Sequence, residues 1–276
     1  MEKLTKKYGL LTAICMVVGT VIGSGVFFKA QDVLKATGGN MPLGIIAWCV
    51  TGLTMIICAA QFAVMATRYD GANGVIDYAE KTCGKGYAYI IAWFLVNIYY
   101  PGMTSVLAWV SARYFGVIVG WKMTSPEVML LAGFFLILSY AMNALSPKLS
   151  GKFQVSATVI KLIPIVLLAI VGTTIGTFNG VLPQNFVTTV SDPVGGSTGS
   201  GLFAAIVATV FAYEGWIVAT SINAELKNPK RNLPIALVVG SLIVVVAYVL
   251  YYIGVAGGAS NADLMEHGAT TAFINV

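Results

Sequence analysis

An all-α integral membrane fold is what this sequence predicts, and three observations carry the prediction. The first is composition: 58% of the 276 residues are hydrophobic, only 10% are charged, and the mean hydropathy is +0.84. A soluble domain carries about 25% charged residues. The second is patterning, with apolar segments at 10–28, 43–66, 87–121, 128–143, 153–178, 202–222 and 233–256, each bounded by charge or by Gly/Pro clusters. The third is charge asymmetry. Lys3, Lys6, Lys7, Arg68, Lys81, Lys85, Lys148, Lys152, Lys227, Lys230 and Arg231 fall on one side of these segments, and only Lys29, Lys35 and Lys122 on the other. Cytoplasmic loops hold the excess of basic residues, so the N-terminus is expected to be cytoplasmic.

At 1.5 Å per residue each segment is long enough for about 30 Å of hydrocarbon, the fourth only just. The third, at 35 residues, has to tilt strongly or run beyond the bilayer. The first begins after a charged leader, but no small-residue cleavage site follows it, so it reads as a retained span. The loop 179–200, with Pro183, Pro193 and a Gly195–Gly199 run, reads as external irregular structure. Asp77-Tyr78-Ala79-Glu80-Lys81 reads as a short amphipathic piece along the cytoplasmic surface.

Several function classes are excluded by what is missing. The net charge of +5 is not gathered into a basic stripe with interleaved aromatics, so no nucleic-acid partner is expected. Cys15, Cys49, Cys58 and Cys83 lack metal-ligand spacing and His267 is the only histidine. Metal sites, disulfide frameworks and His-based triads are therefore not expected. Gly23-Ser24-Gly25 does not follow a strand, so it is no phosphate cradle, and no cofactor is implied. An enzyme is not expected, since no nucleophile–base pair can be found.

The first span carries the most informative motif, Gly19-Thr20-Val21-Ile22-Gly23-Ser24-Gly25-Val26-Phe27. One reading is close helix packing through the Gly19/Gly23 pair. The other is a discontinuous helix whose backbone is opened toward a ligand. Glycines weaken the helix here, and an unpaired amide or carbonyl in hydrocarbon costs several kcal/mol. A second half-helix starting near Val26 would aim free amides at an anion, and the carbonyls of Val21 and Ile22 would face a cation.

The sixth span holds a weak echo. Val207-Ala208-Thr209-Val210-Phe211-Ala212-Tyr213-Glu214-Gly215 parallels the motif of span 1, five spans later and in the opposite sense. That is the pattern of inverted-repeat transporters. Glu214 is the only carboxylate inside a predicted span, and a charge at that depth costs at least ~2.5–3.5 kcal/mol. It is either a neutral structural group or part of a site. Tyr213 and Trp216 flank it near mid-span, which favours a cavity lining over an interfacial anchor.

Lys161 lies a third of the way into span 5, just before Pro164. It either snorkels to the interface or points inward in place of a coupling cation. Arg113, near the external end of span 3, is read as snorkelling. Tyr99 and Tyr100, beside Pro101, are either core or substrate-side residues.

These motifs, with Lys161-Leu162-Ile163-Pro164, Phe211-Ala212-Tyr213-Glu214-Gly215-Trp216 and Glu225-Leu226-Lys227-Asn228-Pro229-Lys230-Arg231-Asn232-Leu233-Pro234 in order and spacing, make the chain resemble the amino acid–polyamine–organocation transporter superfamily. Within it the chain is similar to the L-type amino acid transporters. The resemblance implies a leucine-transporter-type bundle of two inverted five-helix repeats, with residues 1–178 as the first, 201–276 as the start of the second, and helices 1 and 6 discontinuous.

It implies secondary transport of amino acids, neutral L-amino acids in exchange mode, across the plasma membrane. The substrate carboxylate would sit on the amides around Ser24, Gly25 and Val26, with Gly23 beside them in the substrate-binding stretch. The ammonium would meet carbonyls at Val21, Ile22, Phe211 and Ala212, and Tyr213 and Glu214 would complete the span-6 side. Lys161 matches the family lysine that replaces a sodium site, implying sodium independence. Tyr99, Tyr100 and Trp216 are candidate substrate-side or gate residues.

The partners implied are an amino acid substrate and membrane lipid. The loop 121–127 holds no cysteine, so no disulfide-linked heavy subunit is expected. Two departures from the family pattern stand out. Relatives vary at the position of Glu214, and the fold needs at least ten helices where this chain has about seven, so the chain reads as truncated after the start of an eighth. Two alternatives stay open: a cationic amino acid or polyamine antiporter with Glu214 as counter-charge, and a non-transporting membrane sensor or subunit.

Overall fold

The computed structural model describes residues 8–69 and 73–276, and its regular structure is helical. Among the described residues six helices are long and apolar enough to cross a bilayer, and a bent pair, Leu10–Val21 and Gly25–Ala36, makes a seventh. The chain is a multi-pass membrane protein. Its large side chains point outward as lipid-facing ones do, with Leu53, Ile118 and Ile137 all more than half exposed. The chain forms two compact units: the described residues up to Tyr69 together with Gln154–Val276, and Asn73–Phe153.

In the first unit, span 1 breaks at Ile22–Ser24 and its halves meet at 45°. The second half runs to Ala36, past the apolar boundary at residue 28, so Lys29 and Lys35 are helical rather than in a loop. What extends it is a buried stripe, Val26, Ala30, Val33 and Leu34, at helical spacing. Span 2 is Met41–Arg68, started by the Asn40 side chain accepting from the Leu43 amide at 3.0 Å and by Pro42 in the first turn. Span 5 is one helix, Pro147–Phe178, running through Pro164. Span 7 is Pro229–Gly258.

Spans 5 and 7 approach to backbone contact. A side chain at Gly172 or Gly176 would collide with the main chain of Gly254 or Gly257. The core is built on span 2 and span 7 aromatics: Trp48, Tyr248, Tyr251 and Tyr252 are all essentially fully buried.

The ends of this unit sort the loops. At one end Tyr8 bridges in parallel to Leu226, accepting from the Lys227 amide at 2.9 Å and donating to Glu225 O at 3.1 Å. At the other, Gly38 O accepts from the Val190 and Ser191 amides, and Asn261 donates to Gly39 O at 2.7 Å. Tyr8 and the sixth loop therefore lie together, and the first, fifth and seventh connections lie together at the other end of this unit.

The expectation of irregular structure across 179–200 is corrected over Val181–Val187, which is helical. Gly180, at φ 75°, ends span 5 and starts this helix. The buried Asn185 amide then ties it to Ala256 O at 2.7 Å and Ala259 O at 2.8 Å. Gly/Pro density marked the turns, but the tertiary anchor is not visible in local sequence.

The second unit begins with the short helix Val75–Cys83, which contains the expected amphipathic piece and buries Tyr78 and Ala79. Burial pushes the Tyr78 hydroxyl up to about 12, helped by the neighbouring Asp77 carboxylate. Span 3 is continuous over Lys85–Val119, with a π-turn at Leu95–Tyr99. Its cause is Pro101, which has no amide and whose ring crowds the carbonyl four residues back, so the ladder widens there. Span 4, Ser125–Leu145, is capped by Glu127, whose carboxylate accepts from the Thr124 amide at 2.6 Å and hydroxyl at 2.8 Å.

Candidate functional site

The break in span 1 meets a break in span 6. Span 6 is α-helical over Thr198–Val210, tightens to a 3-10 turn at Phe211–Tyr213, is extended at Glu214, and resumes as 3-10 helix over Trp216–Glu225. Two glycines let the broken segments interlock. A Cβ on Gly25 would stand 3.2 Å from Ala212 Cα, and one on Gly215 only 2.7 Å from Thr20 O. Gly215 also sits at φ +110°, a conformation L side chains rarely adopt. Each break thus supplies the glycine that admits the other's backbone.

The junction exposes unlike ends of helices. Gly25 and Val26 open a helix, so their amides have no intrahelical acceptor, and the Ser24 side chain makes no cap to them. Val21 and Ile22 close the preceding half, where carbonyls accumulate negative partial charge. Val21, Ile22 and Val26 are buried, and Gly23 and Ser24 half-buried.

Tyr248 of span 7 joins the two breaks, and sequence reading missed it. Its hydroxyl lies 3.0 Å from Val21 O and 3.0 Å from Ala212 O, and the side chain is fully buried. One O–H proton serves two carbonyls here. A second lone pair therefore remains on each oxygen for a further donor. The signal that could have found it is chemical: a tyrosine hydroxyl in mid-hydrocarbon has to reach an acceptor, and broken helices are where free carbonyls are.

Lys161 points inward. Its ammonium donates to Gly19 O at 3.1 Å, in the last turn of the first half-helix, and one turn earlier Thr158 donates to Cys15 O at 3.1 Å. A cation at a helix C-terminus is favoured by the dipole. The snorkelling alternative is not what the geometry shows.

The other predicted residues sort by environment. Tyr213 is buried, donates to Trp48 O at 3.0 Å, and packs edge-on against the Trp48 ring at 5.7 Å. Glu214 is half-buried on the extended residue between the two 3-10 segments. Trp216 packs edge-on to Phe62 at 5.3 Å. Phe211 faces Lys29, whose ammonium lies 6.0 Å from the ring centre and pairs with Asp32 at 2.7 Å. Tyr99 and Tyr100 lie in the second unit, at the π-turn, with rings 5.3 Å apart. Among the described residues no three His, Cys, Asp or Glu side chains gather to hold a metal.

A family model described as amino acid permease matches residues 8–274. The chain is 32% identical over 247 residues to the serine/threonine exchanger SteT of Bacillus subtilis, covering 89% of this chain and 53% of that protein. It is 30% identical over 272 residues to the b(0,+)-type amino acid transporter 1 of Mus musculus (96% and 54%). To the large neutral amino acids transporter small subunit 2 of Mus musculus it is 28% identical over 272 residues (96% and 50%). The chain spans about half the length of the curated relatives it matches.

Proposed function

This chain belongs to the amino acid permease family, and on that premise we propose that it takes part in secondary transport of amino acids by alternating access, holding the substrate at the paired helix breaks. The observation that carries the reading is the mutual insertion at Gly25 and Gly215. It brings the helix-opening amides of Gly25 and Val26 next to the carbonyl ends of two other half-helices, where Val21 O and Ala212 O accept from Tyr248 and each keep a second lone pair. A zwitterion needs both at once: acceptors for an α-ammonium and donors for an α-carboxylate.

In this reading the carboxylate rests on the amides of Ser24, Gly25 and Val26, beside Gly23. The ammonium lies against carbonyls of Val21, Ile22, Phe211 and Ala212, with Tyr248 holding two of these in place. Tyr213, Glu214 and Trp216 frame the span-6 side. Lys161 supplies the positive charge that a coupling sodium ion would otherwise bring to the end of the first half-helix, so transport is sodium-independent. The inverted repeats are 1–178 and 201–276. The basic-residue asymmetry supports a cytoplasmic N-terminus in the plasma membrane. No disulfide-linked heavy subunit is needed, since 121–127 has no cysteine. Carrying a substrate makes and breaks no covalent bond, and no catalytic role is assigned.

Neutral L-amino acids in exchange are the proposed substrates. Lys29, one turn beyond Gly25 and over the Phe211 ring, is paired with Asp32, so this ion pair adds no net charge beside the site. Glu214 favours the second reading, a cationic amino acid or polyamine antiporter. Counterflow of labelled amino acids into proteoliposomes without sodium separates them. Neutral amino acids are expected to exchange. Preference for arginine or putrescine would overturn the neutral assignment, and saturable binding without flux would support a sensor or subunit role instead.

A further inference from the structure

The second unit has a cleft that the transport reading does not use. It has a volume of about 340 Å³ and lies where span 3 turns into span 4. Trp109, Arg113 and Val117 line it at i, i+4 and i+8 on one face of span 3; Trp121 and Met123 come from the connecting loop, and Met129 from span 4. The geometry points to a binding site for the phosphate of a membrane glycerophospholipid, with Arg113 as the phosphate ligand.

Depth and charge both lead there. Arg113 lies six residues before the end of its helix at Val119, roughly 9 Å along the axis. A cation this close to the loop that follows reads as lying near the boundary between acyl chains and headgroups. A guanidinium near a span end reaches the interface and is best satisfied there by an anionic partner. Among the described residues the guanidinium's partner is an aromatic face: it stacks on Trp109 at 5.1 Å from the ring centre. That contact fixes the cation and leaves its in-plane N–H donors free of a carboxylate. Glu127, the acid nearest in sequence, is occupied by the Thr124 amide and hydroxyl at 2.6 and 2.8 Å. A phosphodiester is the anion available at this depth, and its paired oxygens match the guanidinium fork.

The cleft is also built rather than incidental. The Trp121 amide bonds to Gly116 O at 2.8 Å, and the Met123 amide to Trp121 O at 3.0 Å, which fixes the loop wall. The missing side chain at Gly116 is what admits Met123, whose methyl a Cβ would strike. Val117 and Met129 then offer an apolar edge along which an acyl chain can leave, and Trp109 and Trp121 are of the type that anchors at headgroup level.

The test uses native mass spectrometry of the detergent-purified chain titrated with phosphatidylglycerol, with a diacylglycerol of the same chains, or with inorganic phosphate. Wild type is expected to retain phosphatidylglycerol but not the phosphate-free diacylglycerol, and Arg113→Gln to weaken retention about tenfold, the effect of losing one charge-assisted contact. Arg113→Lys should recover part of it, which separates charge loss from misfolding. Equal retention by Arg113→Gln, or equal binding of diacylglycerol, would overturn the proposal. Displacement by inorganic phosphate alone would reassign the cleft to a free anion, and a polypeptide seated there in place of lipid would reassign it to a partner helix.

Discussion

Tyr248 and Lys161 reach the first half of span 1 from different helices, and each does so through a main-chain carbonyl. Lys161 was legible in the sequence, because a charge in an apolar run has to be explained. Tyr248 was not: in a stripe of tyrosines at helical spacing its ring reads as core, which it also is. Only the fold shows that its hydroxyl lies between two chain breaks. Tyr248→Phe keeps the ring and removes the donor shared by Val21 O and Ala212 O. It is expected to cost about 1–3 kcal/mol, read as a lowered thermal midpoint and weaker amino acid binding. Unchanged stability and binding would mean that the hydroxyl does not hold the breaks together.

At the scale of elements, the break in span 1 was one of two readings of its glycines, and the break in span 6, where Gly215 is the one glycine of the predicted span, followed from the family resemblance. What holds them against each other was not readable, since it depends on backbone approach across 190 residues of chain. The helix Val181–Val187 and the continuation of span 1 to Ala36 were missed for the same reason: each is stabilised by burial against a distant partner rather than by its own composition. The interlock makes a sharp prediction. Gly215→Ala combines a positive-φ residue with a contact onto Thr20 O at 2.7 Å, so it should destabilise by roughly 2 kcal/mol or more. Gly86→Ala, where nothing lies within 4 Å, is the matched control. Equal thermal midpoints for the two variants would contradict the interlock.

For the molecule as a whole, hydropathy and basic-residue counting gave the number of spans and their alternation. The structure has the same number of spans, and within the first unit it joins Tyr8 to the sixth loop at one end and the first, fifth and seventh connections at the other. Membership of the permease family fits a bundle whose only irregular mid-span backbone in the first unit, among the described residues, is the pair of breaks. We propose that this backbone reads the two charged groups common to all α-amino acids. The most direct measurement compares equilibrium binding of a labelled neutral L-amino acid, in competition with its α-amide and with its N-acetyl derivative. The parent amino acid is expected to compete and neither derivative is, since each lacks one of the two charges. Competition by either derivative at the parent's strength would contradict it.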